Sequence, residues 1–403
     1  MKLFSKKDRS QSRPVQTVEV SEKFIGLRIA LLVLLIIVAI ASFGYGINAW
    51  ISVEPGWQTV SVTSTSQNCG EDFTLLYNLG AGETGATSER RALIQLYNEL
   101  CVTAYEVFNS DEEMEDCYNV YYINQHPNEI IEVDDALYEA FSQLSESGTR
   151  YLYAADAYSV YFSMFYAETD EEAAEYDPAL NTEMGDFYLT LADYICDENH
   201  ISVELLEDNQ ICLRVSDEYL AFAEENGLEK LIDFGWMKNA FIIDFLADSL
   251  IENGYTRGNI SSVEGFARGL ETETETEFYF TMYHRDGLEI SEAADIIYAG
   301  NMSCVYLHDY PITEDDLQNR YYVYLDGEIR SLFIDPQDGL SKASVTEIVA
   351  CSSETGCADL ALKAAEAFIA DTFDEDVLEE LTSEGILSCY YADGEVQYVG
   401  EWE

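Results

Sequence analysis

The clearest hydrophobic pattern in the chain begins after Gly235. Seven apolar side chains recur there at spacings of three to four residues, which is the period of a helix that turns one face to a core. They are Met237, Ala240, Phe241, Phe245, Leu246, Leu250 and Ile251. Asp244, Asp248 and Glu252 recur every four residues among them, and we expect these to mark the exposed face. The pattern therefore predicts an amphipathic helix directly after the glycine.

The residues on either side of this helix predict how it is connected. Leu231–Phe234 is expected to end a strand, and Gly235 predicts a sharp turn from that strand into the helix. Gly254 stands where glycine commonly ends a helix, and a further strand is expected before Gly265. A strand, turn and helix in this order can direct a helix N-terminus at an anionic group. Any buried strand–helix–strand unit shows the same pattern.

Other segments predict a mixed α+β fold. A long amphipathic helix is expected to be capped by Ser88, and Asp134 is expected to cap a second one. Pairs of strands separated by Asp-Asn or Asp-Gly predict hairpins. These strands are Ile201–Leu206 with Gln210–Val215, Tyr321–Leu325 with Glu328–Ile334, and Phe278–His284, which turns at Asp286-Gly287. We therefore expect mixed and antiparallel sheets with packed helices, in two layers.

The first 50 residues differ from the rest in charge and hydrophobicity. Seven of the 20 basic residues lie in the first 28 positions, and an uninterrupted apolar stretch runs from Ile29 to Ala41. About 20 apolar residues span a bilayer, and basic flanks stay cytoplasmic. We expect a basic cytoplasmic tail (1–23), a transmembrane signal anchor (24–50), a linker (51–70) and an acidic extracytoplasmic domain (71–403). The alternative is a signal peptide cleaved near Ala39-Ile40-Ala41.

The predicted extracytoplasmic part is strongly acidic and holds every cysteine. From Ile51 onward the chain has 13 basic and 74 acidic residues, which argues against nucleic acid and anionic lipid as partners. The nine cysteines include no C-x-x-C pair, so zinc and dithiol redox sites lack support. We expect mostly buried free thiols with one or two disulfides. Cys351 and Cys357 are the closest pair in sequence, which does not establish a bond between them.

One stretch of the central unit matches a known signature. Asp233–Asp244, DFGWMKNAFIID, resembles the D-L-G-G-I-A-K-G-Y-A-x-D signature of the ApbE-type FAD:protein FMN transferases. Trp236 replaces a glycine of the signature. Asn239 stands where the family has its lysine, and Lys238 lies one residue earlier. The identical positions are Asp233, Gly235 and Asp244.

Two later segments resemble the same family in the same order. Ile334–Gly339, IDPQDG, resembles H-I-I-D-P-x-T-G, with Leu332 in the place of the histidine. Cys357–Phe368, CADLALKAAEAF, resembles A-D-A-L-x-T-A-L, a helix start whose aspartate and threonine hold magnesium. Asp359 matches that aspartate, whereas Lys363 replaces the threonine.

The resemblance implies a substrate, a metal ion and a partner. The family moves FMN from FAD onto a threonine of a partner flavoprotein, using magnesium. Here the partner would be an exported FMN-carrying redox protein. By this comparison the site residues are Asp335 for catalysis and FAD binding, Gly235, Lys238, Asn239 and Lys363 for FAD binding, and Asp359 for magnesium.

The departures from the signature leave two further functions open. A lysine at position 363 can neutralise a phosphate but cannot ligate a cation. The chain could therefore be a catalytically inactive domain of this fold that binds flavin or a protein partner, or an acidic structural ectodomain that collects cations. An aromatic run at 148–167 replaces the family's G-x-F-D-P-T segment. It could stack on a flavin ring, although we expect it to pack in the core.

Overall fold

The computed structural model describes residues 53–402 apart from 63–66, 83–84, 116, 145, 271–275, 288 and 314–319, together with 30–31, 33–39 and 42. Residues 30–31, 33–39 and 42 are helical. Within the described residues, no helix combines the length and the hydrophobicity needed to cross a membrane. The predicted tail and most of the predicted anchor at 24–50 lie outside the described residues, so both stay predictions. From Glu54 onward the chain forms one compact unit.

A large antiparallel sheet organises this unit. Each strand pairs with its neighbours in the antiparallel direction. In spatial order the eight strands are β1 (Gly56–Val60), β2 (Phe73–Leu79), β6 (Gly258–Ser262), β7 (Phe266–Gly269), β10 (Ser303–His308), β13 (Glu347–Ser352), β14 (Leu387–Ala392) and β15 (Glu395–Val399).

Smaller sheets account for the other described strands. The three predicted hairpins are confirmed, and positive φ angles at Asp208, Asn209, Gly287 and Gly327 form their turns. The strands are β3 (Ile131–Glu132), β5 (Gln210–Val215) and β4 (Ile201–Leu205) in one sheet, the pair β8 (Glu277–Asp286) and β9 (Glu289–Ala299), and the pair β11 (Tyr321–Val323) and β12 (Ile329–Ser331).

The three predicted helices, after Gly235, near Ser88 and after Asp134, are present, but one predicted cap is wrong. Asp134 accepts a hydrogen bond from Ala136 N–H as predicted, but α1 begins at Ala86, where the carbonyl of Gly85 accepts from Ser88 and Glu89. Ser88 therefore lies inside the first turn. The helices are α1 (Ala86–Val107), α2 (Val120–Gln125), α3 (Asp135–Gln143), α4 (Glu146–Tyr153), α5 (Ala155–Phe165), α6 (Asp170–Tyr176), α7 (Thr182–Ile195), α8 (Asp217–Asn226), α9 (Lys238–Glu252), α10 (Cys357–Phe368) and α11 (Glu375–Thr382).

Two segments differ from their predicted conformation. Gly56–Val60, predicted as part of a linker, forms the edge strand β1, because its aromatic and β-branched residues suit a strand despite the polar surroundings. Leu231–Phe234 forms no strand. The side chain of Asn124 takes the place of a neighbouring strand, since it accepts from the N–H groups of Leu231 and Ile232 and donates to the Ile232 carbonyl, each at 2.9 Å.

The large sheet is covered on both faces, so the prediction of two layers is wrong. Helices α9 and α10 pack against strands β7, β10 and β13 and against each other. The hairpin β8–β9 packs on the opposite face, where Phe278 and Met282 meet Cys304 and Cys351 in one buried cluster. The aromatic run at 148–167 forms α4 and α5, and most of its aromatic side chains are buried, which confirms the expected core role.

Candidate functional site

The turn at Gly235 is held by the aspartate two residues before it. Asp233 Oδ1 accepts from Gly235 N–H at 2.8 Å, and Oδ2 accepts from Ser110 Oγ at 2.6 Å. Gly235 has φ +52°, and a Cβ there would lie 2.3 Å from the ring of Tyr158. Glycine alone suits both conditions. The predicted turn is confirmed, whereas FAD binding by Gly235 stays a prediction.

Trp236 occupies space that a glycine would leave open. Its indole is buried between Tyr151 and Phe333, with ring centroids 5.5 and 5.6 Å away. Phe333 lies two residues before Asp335, so the indole joins the Gly235 turn to the loop that carries Asp335. A ligand approaching the backbone of residue 236 would meet this side chain.

The N-terminus of α9 carries two predicted site residues in different environments. Lys238 is exposed, whereas Asn239 is 3% exposed and its Oδ1 has no hydrogen-bond partner within the described residues. The Asn239 side chain faces the Glu264 carboxylate in the turn between β6 and β7. Asn239 therefore points into the interior end of the site, and Lys238 points outward.

Four charges gather beside Asn239, and we call them the Lys238 cluster: Asp72, Lys238, Glu264 and Arg320. Arg320 Nη2 lies 3.5 Å from Glu264 Oε1. Burial raises the pKa of Asp72 and of Glu264, and the two cations partly offset this rise. Sequence reasoning missed three of these residues. The only available signal was their position, because Asp72 precedes β2 and Glu264 lies in the turn after β6.

Asp335 is held in a tight loop by a lysine. Its Oδ1 accepts from Gln337 N–H at 2.9 Å, and its Oδ2 lies 2.8 Å from Lys342 Nζ. The same ammonium contacts Asp338 at 2.7 Å and Asp371 at 2.8 Å. Burial alone would lower the pKa of Lys342, but the hydrogen bonds that its ammonium group donates to three carboxylates outweigh this effect and raise the pKa. Asp335 is thus already paired with a cation.

Asp359 and Lys363 lie together in the first two turns of α10. Lys363 Nζ contacts Asp359 Oδ2 at 2.8 Å and Glu384 Oε2 at 2.7 Å. The Asp359 side chain is 41% exposed. Burial lowers the pKa of Lys363, but its bonds to the two carboxylates outweigh this and raise the pKa. The lysine therefore occupies the neighbourhood in which the family comparison implies a metal ion.

The residues at the implied metal position do not fit magnesium. Magnesium takes about six oxygen ligands, commonly one or two carboxylates with phosphates and waters. Asp335 and Asp359 are each bonded to an ammonium group instead. The described part of the chain has no group of three or more histidine, cysteine or acidic side chains that could hold a metal ion.

The predicted site residues fall into three groups. Gly235, Lys238 and Asn239 lie at the start of α9, Asp335 lies in the loop after β12, and Asp359 with Lys363 lies on α10. No hydrogen bond or ion pair within the described part of the chain links one of these groups to another. Their roles in FAD and metal binding stay predictions.

Asp244 was predicted to lie on the exposed face of α9, and this prediction is wrong. Its side chain is 7% exposed and accepts from the N–H groups of Cys357 and Ala358 at 2.9 and 2.8 Å. Arg268 Nη1 adds a bond at 2.7 Å. Burial raises the pKa of Asp244, while Arg268 and the two N–H groups oppose the rise. The carboxylate is buried because it caps α10.

A cavity of about 680 Å³ lies between the hairpin β8–β9 and the large sheet. One end reaches Val263, whose carbonyl accepts from Arg320 Nη1 at 3.2 Å, so the cavity borders the Lys238 cluster. Its polar groups include Asn259, Ser262 and His308. The walls are mainly aromatic and apolar, and include Trp57, Leu76, Phe266, Phe278, Phe280 and Tyr298.

Comparisons with known proteins identify the fold. No model of a protein family and no curated protein matches the sequence. The flavin transferase ApbE from Vibrio cholerae is similar in structure, with a TM-score of 0.56 and 12% identity, over 86% of this chain and 97% of that one. The ApbE protein from Thermotoga maritima is similar with a TM-score of 0.53 and 14% identity, over 81% of this chain and 93% of that one. The flavinyl transferase ApbE from Pseudomonas stutzeri is similar with a TM-score of 0.50 and 11% identity, over 81% of this chain and 90% of that one. The chain therefore has the fold of the ApbE flavin transferases, and the resemblance predicted from its sequence is confirmed at the level of the fold.

Proposed function

We propose that this protein is a membrane-anchored, extracytoplasmic FAD-binding relative of the ApbE flavin transferases. The observation that carries the proposal is the shared fold over more than four-fifths of the chain. The cavity beside the Lys238 cluster supports it, because aromatic walls suit a flat ring and the adjacent cations suit phosphates. The apolar segment at Ile29–Ala41 supports the anchor.

The reaction that we propose for this protein is the transfer of FMN from FAD to a threonine of an exported flavoprotein. The bond between the FMN phosphorus and the bridging oxygen of FAD breaks, and a new bond joins that phosphorus to the threonine oxygen. AMP leaves with the bridging oxygen, and the threonine hydroxyl proton is released to solvent. Lys238 and Arg320 are positioned to neutralise phosphate charge. Asp72 and Glu264 offset these cations, so phosphate binding has to displace part of the existing ion pairing.

A catalytically inactive flavin-binding protein is the second candidate. The ion pairs of Asp359 with Lys363 and of Asp335 with Lys342 favour it, since each carboxylate that the family comparison assigns to the site is bonded to an ammonium group. The buried Trp236 favours it as well. Such a protein would hold FAD without magnesium and without cleaving it.

FAD binding separates the two candidates. The purified full chain in mild detergent is titrated with FAD in magnesium and in EDTA, followed by flavin fluorescence, and AMP release is measured with an FMN-binding acceptor protein. Magnesium-dependent binding with AMP release supports the transferase. FAD binding in EDTA without release of AMP supports the catalytically inactive flavin-binding protein. No binding at millimolar FAD contradicts both candidates.

Matched variants test where the ligand binds. Lys238→Ala should weaken FAD binding about tenfold, because it removes a charge next to the expected phosphate position. Arg91→Ala removes an exposed cation near the start of α1 and should leave binding unchanged. Equal effects of the two substitutions would mean that Lys238 contributes only to the overall charge.

A further inference from the structure

Two cysteines face each other in the middle of the large sheet. Cys304 on β10 and Cys351 on β13 are direct partners in the antiparallel register. Both are 1% exposed, and their Sγ atoms are 2.8 Å apart. Another buried sulfur pair in the same cluster, Cys389 Sγ and Met282 Sδ, lies 3.9 Å apart. The separation of Cys304 and Cys351 is thus unusually close for two unbonded sulfur atoms.

We propose that Cys304 and Cys351 form a structural disulfide in the mature protein. Directly opposed residues of an antiparallel ladder have Cα atoms about 4.5 or 5.5 Å apart. Both values lie in the range that a disulfide spans, about 4.4–6.8 Å. The two side chains also point to the same face of the sheet, under the hairpin β8–β9. Rotation about the side-chain bonds is therefore enough to join them.

Other cysteines of the described chain have different partners. Cys357 Sγ donates to the Ala267 carbonyl at 3.1 Å, and Cys69 Sγ donates to the Cys101 carbonyl at 3.2 Å. Cys351 thus pairs in space with Cys304, which is 47 residues away, and not with Cys357, which is its nearest cysteine in sequence. The register of β10 and β13, which sequence spacing does not reveal, decides the pairing.

The oxidation needs an external electron acceptor of the disulfide class. The two thiols lose two protons and two electrons as the Sγ–Sγ bond forms, and a compound such as oxidised glutathione takes them up and leaves as two thiols. Oxidants of this kind maintain disulfides outside the cytoplasm. The proposal therefore rests on the proposed extracytoplasmic location, but it does not depend on FAD binding.

The position of the pair dictates when the bond forms. The attacking species in disulfide exchange is the thiolate, and burial raises the pKa of Cys304 well above its ordinary value. Phe278 and Met282 of the hairpin also cover the pair. Oxidation should therefore be fast during folding and slow once the hairpin has closed over the sheet.

The bond would restrain the segment that carries part of the candidate site. The loop closed between Cys304 and Cys351 contains Arg320 of the Lys238 cluster, and also Asp335 with its partner Lys342. Closing it lowers the conformational entropy of the unfolded chain. Oxidation during folding would thus stabilise the sheet and the loops attached to it.

A peptide map tests the pairing directly. The full chain is folded with oxidised glutathione present, denatured in N-ethylmaleimide so that free thiols are alkylated, digested and analysed by mass spectrometry without reduction. We expect a cross-linked pair of peptides that contains Cys304 and Cys351. Alkylation of both cysteines in full yield would overturn the proposal, and so would a Cys351–Cys357 cross-link. FAD titration of the same sample tests the proposed function separately.

Two matched alanine variants provide a second readout. Cys304→Ala and Cys357→Ala each remove one fully buried sulfur, but only the first removes a member of the proposed pair. A reducing agent should lower the Tm of Cys357→Ala by several degrees more than that of Cys304→Ala. Equal shifts would overturn the proposal. The peptide map requires no variant, so it decides the question even if Cys304→Ala fails to fold.

Discussion

Asp244 Oδ2 accepts a hydrogen bond from the backbone N–H of Ala358 at 2.8 Å and so joins two segments that are 114 residues apart in the chain. The first is the Asp233–Asp244 segment, and the second begins α10. Both resemble the flavin transferases. The bond gives this matching aspartate a structural role, because it caps the helix that carries Asp359. Retention of Asp244 is therefore expected whether or not the protein transfers FMN.

Substitution at Asp244 tests this structural role. Asp244 and Asp248 both bond to Arg268, but Asp244 is buried and caps α10, whereas the Asp248 side chain is 55% exposed. Asp244→Asn should lower the free energy of unfolding by about 3 kcal/mol, because it removes a buried charge and one acceptor. Asp248→Asn should cost at most about 1 kcal/mol. Urea unfolding measures both, and equal losses would contradict the assigned role.

The ring of Tyr158 lies close to Gly235 and should penalise any side chain there. Gly227 and Gly235 both have positive φ, at +71° and +52°, but a Cβ at Gly227 would meet nothing within 4 Å. Gly227→Ala should therefore cost about 1 kcal/mol from backbone conformation alone. Gly235→Ala should cost roughly 2 kcal/mol more, because Tyr158 must move. Urea unfolding measures the loss in free energy of unfolding for both variants. Equal losses would show that the Tyr158 ring moves aside at no cost.

Asp309 gives a prediction about pH. Burial raises its pKa from 3.8 to about 6, with Arg285 opposing and Glu347 reinforcing the rise. The folded state therefore binds this proton more tightly than the unfolded chain does. The Asp309 contribution to stability should be complete below about pH 4 and should decline as the pH rises to about 6, by at most about 1.4 kcal/mol per pH unit.

Asp309→Asn removes this titration. Urea unfolding at several values between pH 4 and 8 gives the free energy of unfolding for the natural chain and the variant. The difference, natural chain minus variant, should fall between pH 4 and 6 and stay level above that range. A difference that rises across the range would reverse the assigned direction, and parallel curves would mean that Asp309 does not titrate there.

Sequence patterns predicted elements well where local chemistry decides them. The apolar stripe from Met237 to Ile251 predicted the helix α9, because its spacing matches a helix face. The hairpin turn at Asp208-Asn209 followed from residues that tolerate positive φ. Asp134 gave its cap, since a side chain that caps a helix needs only the next few residues.

The misplaced residues depend on partners far away in the sequence. Asp244 fits the polar stripe of α9, but its side chain is buried because the N-terminus of α10 packs against it. Leu231–Phe234 has the composition of a strand, but the side chain of Asn124 supplies its hydrogen bonds. The Lys238 cluster joins four distant parts of the chain. No local sequence pattern could therefore have predicted that Asp72, Glu264 and Arg320 lie together.

Lys363 on α10 contacts Asp359 at the position where the family comparison implies a metal ion. Lys363→Thr supplies a hydroxyl where the family comparison implies a ligand, and it frees Asp359 from its ion pair. If the protein binds FAD, this variant should bind FAD more tightly in magnesium than in EDTA, because Asp359 and the new hydroxyl could then hold magnesium, which would neutralise phosphate charge. Lys363→Ala frees Asp359 equally but adds no hydroxyl, so its magnesium dependence should be weaker. FAD titrations of both variants measure the effect. Identical affinities with and without magnesium in Lys363→Thr would mean that the lysine does not stand in for the metal.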